Sequence, residues 1–225
     1  MSHHRLTVPP RQRSDDIAVQ DPTDSAVNET LRSIHQRHSV RYFTDQSVTE
    51  EDLRLVLEAA NQAPSAHNLQ TWRFVVLRGE RVRLELAELV LHRAGDFSRA
   101  SSVLLRRAAR TLVGAPVVVA VINTAELARH SSELTEAEKE AAGDIFRTME
   151  IQSSAAAVEN LLLAATSLGI GSVWLGILVL VQREVLEFLG EPSGELAAIV
   201  ALGYPVAPPT GPRKLPLDSL LRYRE

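Results

Sequence analysis

Four short segments of the sequence contain the residue types that bind phosphates and polar ring systems. The first segment, residues 37–41, reads Arg-His-Ser-Val-Arg at the end of a predicted helix. Guanidinium groups bind phosphate oxygens in pairs, and a serine hydroxyl adds a donor, so the segment suits a phosphate. A basic helix end that complements the helix dipole explains the same pattern, and the segment alone leaves both interpretations open. Its candidate ligands are Arg37, His38, Ser39 and Arg41.

The second segment, residues 64–72, reads Pro-Ser-Ala-His-Asn-Leu-Gln-Thr-Trp and lies between a predicted helix and a predicted strand. Its small residues permit a close approach, and Asn68 and Gln70 each offer hydrogen-bond donors and acceptors. A ring with alternating carbonyl and N–H groups along its edge, such as the pyrimidine ring of a flavin, requires that mixture. The alternative is an Asx-type turn followed by a strand that Trp72 anchors.

The third segment, residues 169–176, reads Gly-Ile-Gly-Ser-Val-Trp-Leu-Gly after a long predicted helix. It is not a dinucleotide-binding fingerprint, because Trp174 occupies the position of the last glycine and the glycines follow a helix rather than a strand. Glycines at a turn expose backbone amides, and an amide aimed at a flavin N5 would stabilise negative charge there. The alternative is a helix C-cap that leads into a core strand.

The fourth segment, residues 211–216, reads Gly-Pro-Arg-Lys-Leu-Pro near the carboxyl terminus. Arg213 and Lys214 lie between prolines, where two cations could complete a phosphate site. Charge-assisted hydrogen bonds contribute about 1.5–3 kcal/mol each. A solvated basic turn is the alternative interpretation of this segment.

The hydrophobic pattern predicts helices that precede and separate a few strands. The predicted helices cover residues 25–37, 50–63, 81–91, 135–169 (with a break near 142–143) and 183–189, and the predicted strands cover 71–77, 116–122, 173–175 and 197–202. These strands are too few for a doubly wound sheet, which favours an α+β fold. Residues 1–24 lack periodicity and are interpreted as a flexible arm, and residues 25–225 as a single domain.

The composition excludes several classes of protein. A chain of 225 residues with 45% hydrophobic and 23% charged residues favours one globular domain, and a net charge of -4 with interspersed signs argues against nucleic-acid binding. The absence of cysteine excludes thiolate nucleophiles, disulfides and iron–sulfur ligation, and the seven histidines show no metal-ligand spacing. The sequence contains neither a clean apolar run of membrane-spanning length nor a secretory h-region, so we expect a cytoplasmic protein that binds no membrane.

The four segments, in this order, resemble the nitroreductase family. The first is similar to its R-(R/H)-S-x-R box, the second to its P-S-x-x-N-x-Q-P-W loop, the third to its G-(I/L)-G-S-x-W-x-G turn, and the fourth to its carboxy-terminal basic pair. The resemblance spans about residues 28–222. Thr71 replaces the usual proline before Trp72, and Val173 stands where cysteine is common in the family.

The resemblance implies an α/β/α sandwich in which helices flank a small mixed sheet. It also implies an intertwined homodimer whose subunits exchange terminal segments and share two FMN sites at their interface. The second segment would reach the cofactor from the other subunit, and the first and fourth would approach its phosphate. The residues that the resemblance assigns to FMN binding are Arg37, His38, Ser39, Arg41, Pro64, Ser65, Ala66, Asn68, Gln70, Trp174, Leu175, Gly176, Arg213 and Lys214.

The activity implied is hydride transfer from NADH or NADPH to FMN and then to a small acceptor, such as a nitroaromatic compound or a quinone, by a ping-pong mechanism. No side chain is nominated as a catalytic acid or base, and the Gly176 amide is expected near N5; His67 is interpreted as a surface residue. Residues 94–142, where family members shape their substrate sites, offer no role to transfer. Alternatives are another task on the same fold (flavin reduction for a partner, flavin fragmentation, dehalogenation, a deazaflavin-linked reaction), a non-catalytic flavin-binding module, and an unrelated interaction domain.

Overall fold

The structure, a computed structural model, describes residues 28–127, 135–142 and 145–224. The predicted amino-terminal arm lies outside these residues. The helices are α1 (Glu29–Gln36), α2 (Glu50–Asn61), α3 (Glu80–Arg93), α4 (Arg99–Gly114), α5 (Glu136–Ala142), α6 (Ile145–Ser167) and α7 (Gln182–Leu189). The strands are β1 (Trp72–Leu77), β2 (Val117–Asn123), β3 (Gly171–Trp174) and β4 (Glu195–Gly203). All four predicted strands are confirmed, with bounds that differ by one to two residues.

The sheet has the strand order β1-β2-β4-β3. All three strand pairings are antiparallel, whereas a mixed sheet was expected. The isolated bridge between Ser39 and Ser172 is parallel, and it joins the first segment to β3. Strands β2 and β4 occupy the centre, and every residue of β2 is buried, as its continuous β-branched run predicts.

Helices cover both faces of the sheet, which gives the predicted α/β/α sandwich. Alternate residues of a strand point to opposite faces, and β2 supplies both cores in this way. Val118, Ala120 and Ile122 pack with buried residues of α3, α4 and α7. The second core, on the other face, contains buried residues of α2 and α6 together with Val117, Val119 and Val121.

Three helix ends follow the capping signals in the sequence. The Thr49 hydroxyl accepts a hydrogen bond from the Asp52 amide at 3.0 Å and begins α2. Before α5, the Thr135 amide donates to the Glu138 carboxylate at 2.9 Å. Hydrogen bonds from Thr135 lower the pKa of Glu138, and the bond from its hydroxyl has a larger effect than the bond from its amide. Gly169, with φ of 72°, ends α6, and the Ile170 amide donates to the carbonyl five residues earlier at 2.8 Å.

The segment after α3 contains a long regular helix. Helix α4 is continuous over 16 residues and buries Leu105, Ala108, Ala109 and Leu112 against α3 and the sheet. The long predicted helix after Thr135 consists of α5 and α6, and the residues between them, 143–144, lie outside the described part. In the described ranges no helix combines the length and apolarity that a membrane crossing requires.

Candidate active site

The first and third segments are in direct contact along β3. The Val40 amide donates to the Ser172 carbonyl at 2.9 Å, and Ser39 pairs with Ser172 in the parallel bridge. Val40 is buried, and a Cβ added at Gly171 would lie 2.9 Å from its side chain. Glycine at position 171 is therefore required by the close approach of the first segment.

The side chains of the first segment divide between two sides of an extended chain. The backbone leaves the helical conformation at Arg37, whose ψ is 113°. Because successive side chains of an extended chain point to opposite sides, Arg37, Ser39 and Arg41 share one side, while His38 and Val40 share the other. The three residues with the best phosphate-binding groups are thus aligned, and His38 is directed away from them.

The His38 side chain meets the carboxy-terminal tail. A Cβ added at Gly211 would overlap the imidazole, lying 2.9 Å from its Cε1 atom. This contact brings the fourth segment to the first: Arg213 follows Gly211 by two residues, or at most about 7 Å of extended chain. Arg213 and Lys214 are exposed, and neither forms an ion pair with another residue of the described part.

A large cavity of about 1090 Å³, called the main cavity below, lies between the first segment, the third segment and α4. Arg41 comes from the first segment, and Trp174, Leu175 and Gly176 come from the third. A smaller cavity of about 420 Å³ is lined by His38 instead, on the opposite side of the first segment. The predicted ring-binding residues therefore share one cavity with the last arginine of the first segment.

The third segment changes direction at the wall of the main cavity. Trp174 is the last residue of β3, and 39% of its surface is exposed. The Leu175 amide then donates to the Ile199 carbonyl at 2.8 Å. Gly176 then begins a 3-10 helix, Gly176–Val181, and the first amides of a helix have no partner within it. The residue predicted to present an amide to a flavin ring thus stands at the wall of the cavity, at the start of a helix.

The second segment is a loop held by its own hydrogen bonds. The Gln70 amide donates to the Ser65 hydroxyl at 3.0 Å, and the Gln70 side-chain amide donates to the Asn68 carbonyl at 2.6 Å. The Ala66 amide donates to the hydroxyl of the buried Ser153 in α6 at 3.1 Å. His67, Asn68 and Gln70 have φ values of 52°, 56° and 49°, a conformation that costs free energy for residues other than glycine.

The second segment does not reach the main cavity of its own chain. It leads into β1 at one edge of the sheet, whereas the third segment includes β3 at the opposite edge. Three inter-strand spacings of about 4.8 Å separate these edges by roughly 14 Å. Residues 64–70 are absent from the described walls of both cavities. Pro64, Ser65, Ala66, Asn68 and Gln70 are therefore apart from the other predicted ligands within one subunit.

Helix α4 contributes cavity residues that the sequence interpretation missed. Leu104, Arg107, Ala108 and Thr111 recur at helical spacing, and all four line the main cavity together with Arg110. The period was readable in the sequence as one face of a helix. What that face contacts was not readable, because it depends on the first and third segments, which are distant in the chain.

The charged groups around the site are unevenly paired. The Arg37 guanidinium lies 3.9 Å from the Glu159 carboxylate of α6, with its side chain 23% exposed. The walls of the main cavity contain three arginines but no Asp, Glu, His or Lys among the described residues. The described residues contain no group of three or more His, Asp or Glu side chains that could hold a metal ion.

Comparison with known proteins identifies the family. Residues 34–204 match the model of the Nitroreductase family. A protein of Archaeoglobus fulgidus, provisionally named NADH dehydrogenase/NAD(P)H nitroreductase, is 32% identical over 182 residues, which cover 80% of this chain and 87% of the relative.

Solved structures agree with the sequence match. A provisionally named nitroreductase of Desulfovibrio desulfuricans, crystallised in complex with FMN, aligns with a TM-score of 0.67 and 30% identity over 88% of this chain and 98% of its own. The NADPH:FMN oxidoreductase of Vibrio harveyi, complexed with NAD+, also has a TM-score of 0.67, with 25% identity over 88% and 79% of the two chains. This chain belongs to the nitroreductase family.

Proposed function

We propose that this protein is an FMN-dependent oxidoreductase that takes hydride from NADH or NADPH and passes it to a small acceptor, such as a nitroaromatic compound or a quinone. The protein would act as a homodimer with two sites at the subunit interface. Family membership supports the reaction class, and FMN is present in a solved relative. The remaining support is the geometry of the main cavity.

The residues of the first, third and fourth segments fit FMN. Arg37, Ser39 and Arg41 are aligned on one side of an extended chain and suit the phosphate and ribityl groups. The fourth segment would add Arg213 and Lys214 to the phosphate, since His38 and Gly211 are in contact. The third segment would line the ring with Trp174, Leu175 and Gly176, all of which face the main cavity.

The separation of the second segment from the main cavity is the observation that supports a site shared between two subunits. Its loop is strained and hydrogen-bonded internally, yet its described residues line neither the main cavity nor the smaller cavity of its own subunit. Strained backbone persists where the surrounding structure holds it, and such positions cluster at functional sites. A second copy of the chain would bring Pro64, Ser65, Ala66, Asn68 and Gln70 to the open side of the ring.

The carboxy-terminal tail supports the dimer. Leu215, Leu217, Leu220 and Tyr223 are 70%, 66%, 66% and 84% exposed, although large apolar side chains in such a cluster normally pack against something. Beyond Val206, whose amide donates to the Tyr42 carbonyl at 3.3 Å, no backbone hydrogen bond joins the described tail to the rest of the described chain. We infer that the tail packs on the partner subunit.

Bound FMN supplies the hydride chemistry in such a site. The protein binds the cofactor phosphate, holds the ring against the third segment, and keeps room above it for a donor or an acceptor in turn. The Gly176 amide would stabilise negative charge on the ring. The described walls of the main cavity contain no carboxylate or imidazole side chain.

The test is purification followed by flavin analysis and anaerobic stopped-flow spectroscopy. The protein should be yellow, should release FMN on denaturation, and should lose its flavin absorbance when mixed with NADH or NADPH, recovering it when an acceptor is added. A Ser39→Ala and Arg41→Ala double variant should bind FMN more weakly, whereas Arg99→Ala, in α4 and outside the cavity, should not. Colourless protein that fails to take up added FMN would contradict the proposal.

A further inference from the structure

Glu150 of α6 is a buried carboxylate to which the proposed function gives no role. Its residue surface is 1% exposed, and its Oε1 atom accepts a hydrogen bond from the Leu127 amide at 2.7 Å. Its other oxygen, Oε2, is buried and has no hydrogen-bond partner within the described part. Burying a carboxylate oxygen without a partner costs free energy, so stability alone does not explain this side chain.

The same turn of α6 holds the second segment. Ser153 follows Glu150 by three residues, a spacing that places both side chains on one face of the helix. The Ser153 hydroxyl accepts a hydrogen bond from the Ala66 amide at 3.1 Å and donates to the Met149 carbonyl at 2.7 Å. One face of α6 therefore contacts both the second segment and the chain that follows β2.

The chain that follows β2 also contacts the second segment directly. The Thr124 amide donates to the Thr71 carbonyl at 2.8 Å, just before β1 begins. Between Thr124 and Leu127 the backbone makes a tight turn, in which Ala125 has a φ of 56° and its amide donates to the Asn123 side-chain oxygen at 3.1 Å. Residues 124–127 thus connect the end of the second segment to Glu150.

Three contacts hold the second segment to the rest of the subunit. They are Ala66 with Ser153, Thr71 with Thr124, and Leu127 with Glu150, and they are called the anchor contacts below. The strained residues 67–70 lie between the two anchored positions of the loop. Strained backbone persists only where surrounding structure fixes it, and the hydrogen bonds inside the loop do not join it to α6 or β2. The anchor contacts supply that connection.

We propose that Glu150 is a positioning residue that holds the second segment in the conformation in which it reaches the FMN ring of the shared site. The inference rests on the proposed function, which gives the second segment its role at that site. Glu150 acts through Leu127 and the 124–127 turn, since it lines neither described cavity itself. Of the anchor contacts, its hydrogen bond is the shortest, and a carboxylate is a stronger acceptor than a neutral oxygen.

The first measurement is hydrogen exchange by mass spectrometry on the FMN-free wild type, Glu150→Ala and Glu150→Gln. Faster exchange at Leu127 is the direct result of removing its acceptor, whereas exchange in peptides covering residues 64–71 tests the proposal. We expect Glu150→Ala to raise exchange there about tenfold and to leave peptides of β4 unchanged. Glutamine keeps an oxygen for the Leu127 amide, so Glu150→Gln should stay within about twofold of the wild type.

The second measurement is a fluorescence titration of the same proteins with FMN. Glu150→Ala should bind FMN about tenfold more weakly than the wild type, and Glu150→Gln should restore the affinity to within about twofold. Recovery by glutamine distinguishes a hydrogen bond that positions the loop from a general need for charge or volume at this position.

Two variants of α6 serve as controls. Ser154→Ala removes a fully buried hydroxyl, without a partner among the described residues, from the same region of the helix and touches none of the anchor contacts. It should change neither FMN affinity nor exchange at residues 64–71. Val158→Ala, in the second core, should destabilise the whole domain and raise exchange in the sheet as well as in the loop.

Uniformly faster exchange in Glu150→Ala, with the pattern of Val158→Ala, would overturn the proposal, since Glu150 would then serve the core alone. Normal FMN affinity despite faster exchange at residues 64–71 would also overturn it, as would equal losses in the alanine and glutamine variants. A failure of the proposed function has a different signature, in which the wild-type protein itself takes up no FMN.

Discussion

The body of the molecule and its carboxy-terminal tail differ in how much of their apolar surface is buried. The body, from α1 to β4, buries two apolar cores against a sheet whose central strands are almost fully covered. The tail, residues 207–224, is exposed wherever the structure describes it and holds its leucines in solvent. The body is a domain that can account for its own stability, whereas the tail carries apolar surface that only another surface can bury.

Removing the tail should give the largest effect on the proposed site. Deletion of residues 210–225 takes away Arg213, Lys214 and the exposed leucines but leaves both cores intact. We expect the shortened chain to keep its helical circular dichroism, to become monomeric by light scattering, and to lose FMN binding in a fluorescence titration. A shortened chain that stays dimeric and yellow would show that the body alone makes the interface.

The same substitution, leucine to alanine, tests the difference between the body and the tail. Leu161→Ala, in the fully buried part of α6, should lower the free energy of unfolding by about 2–5 kcal/mol at any protein concentration, because it leaves a cavity. Leu217→Ala in the tail should leave unfolding of the monomer within about 0.5 kcal/mol of the wild type and should instead weaken the dimer.

Urea denaturation at several protein concentrations separates these two effects. The destabilisation by Leu217→Ala should vanish at low concentration, where both proteins are monomeric, whereas the destabilisation by Leu161→Ala should persist. Equal destabilisation by both substitutions at every concentration would mean that the tail packs on its own subunit.

The smallest expected effect concerns the point where body and tail meet. In Gly211→Ala the new methyl group would overlap the His38 imidazole, which is a side-chain end and can move aside. We expect FMN affinity to fall severalfold, because the displaced tail carries Arg213 and Lys214 with it. The double variant His38→Ala, Gly211→Ala should recover most of that affinity, measured by the same titration. If the single variant binds FMN normally, the contact does not position the basic pair.

The sequence predicted local features well because their physical causes are local. The Thr49 cap, the buried run of β2 and the left-handed Gly169 all follow from a few neighbouring residues. The α/β/α arrangement and the family also followed, since four motifs in a fixed order restrict the fold strongly.

What the sequence could not predict depends on contacts between distant segments. The antiparallel pairing of β3 with β4 is set by the course of the whole chain rather than by either strand. The orientation of His38 depends on Gly211, which is more than 170 residues later. The position of Arg107 and Arg110 in the wall of the main cavity likewise depends on the packing of α4 beside the first and third segments. A function can be inferred for charged residues on a helix surface only when the residues that face them are known.

The strand order has a genetic consequence. Because β1 and β3 lie at opposite edges of the sheet, a site shared as proposed takes the second segment from one chain and the other three from its partner. Two inactive variants, one altered only at Asn68 and the other only at Arg41, would then form mixed dimers with one intact site and one doubly altered site. Two defective alleles would complement each other when expressed together, and neither would do so when expressed alone.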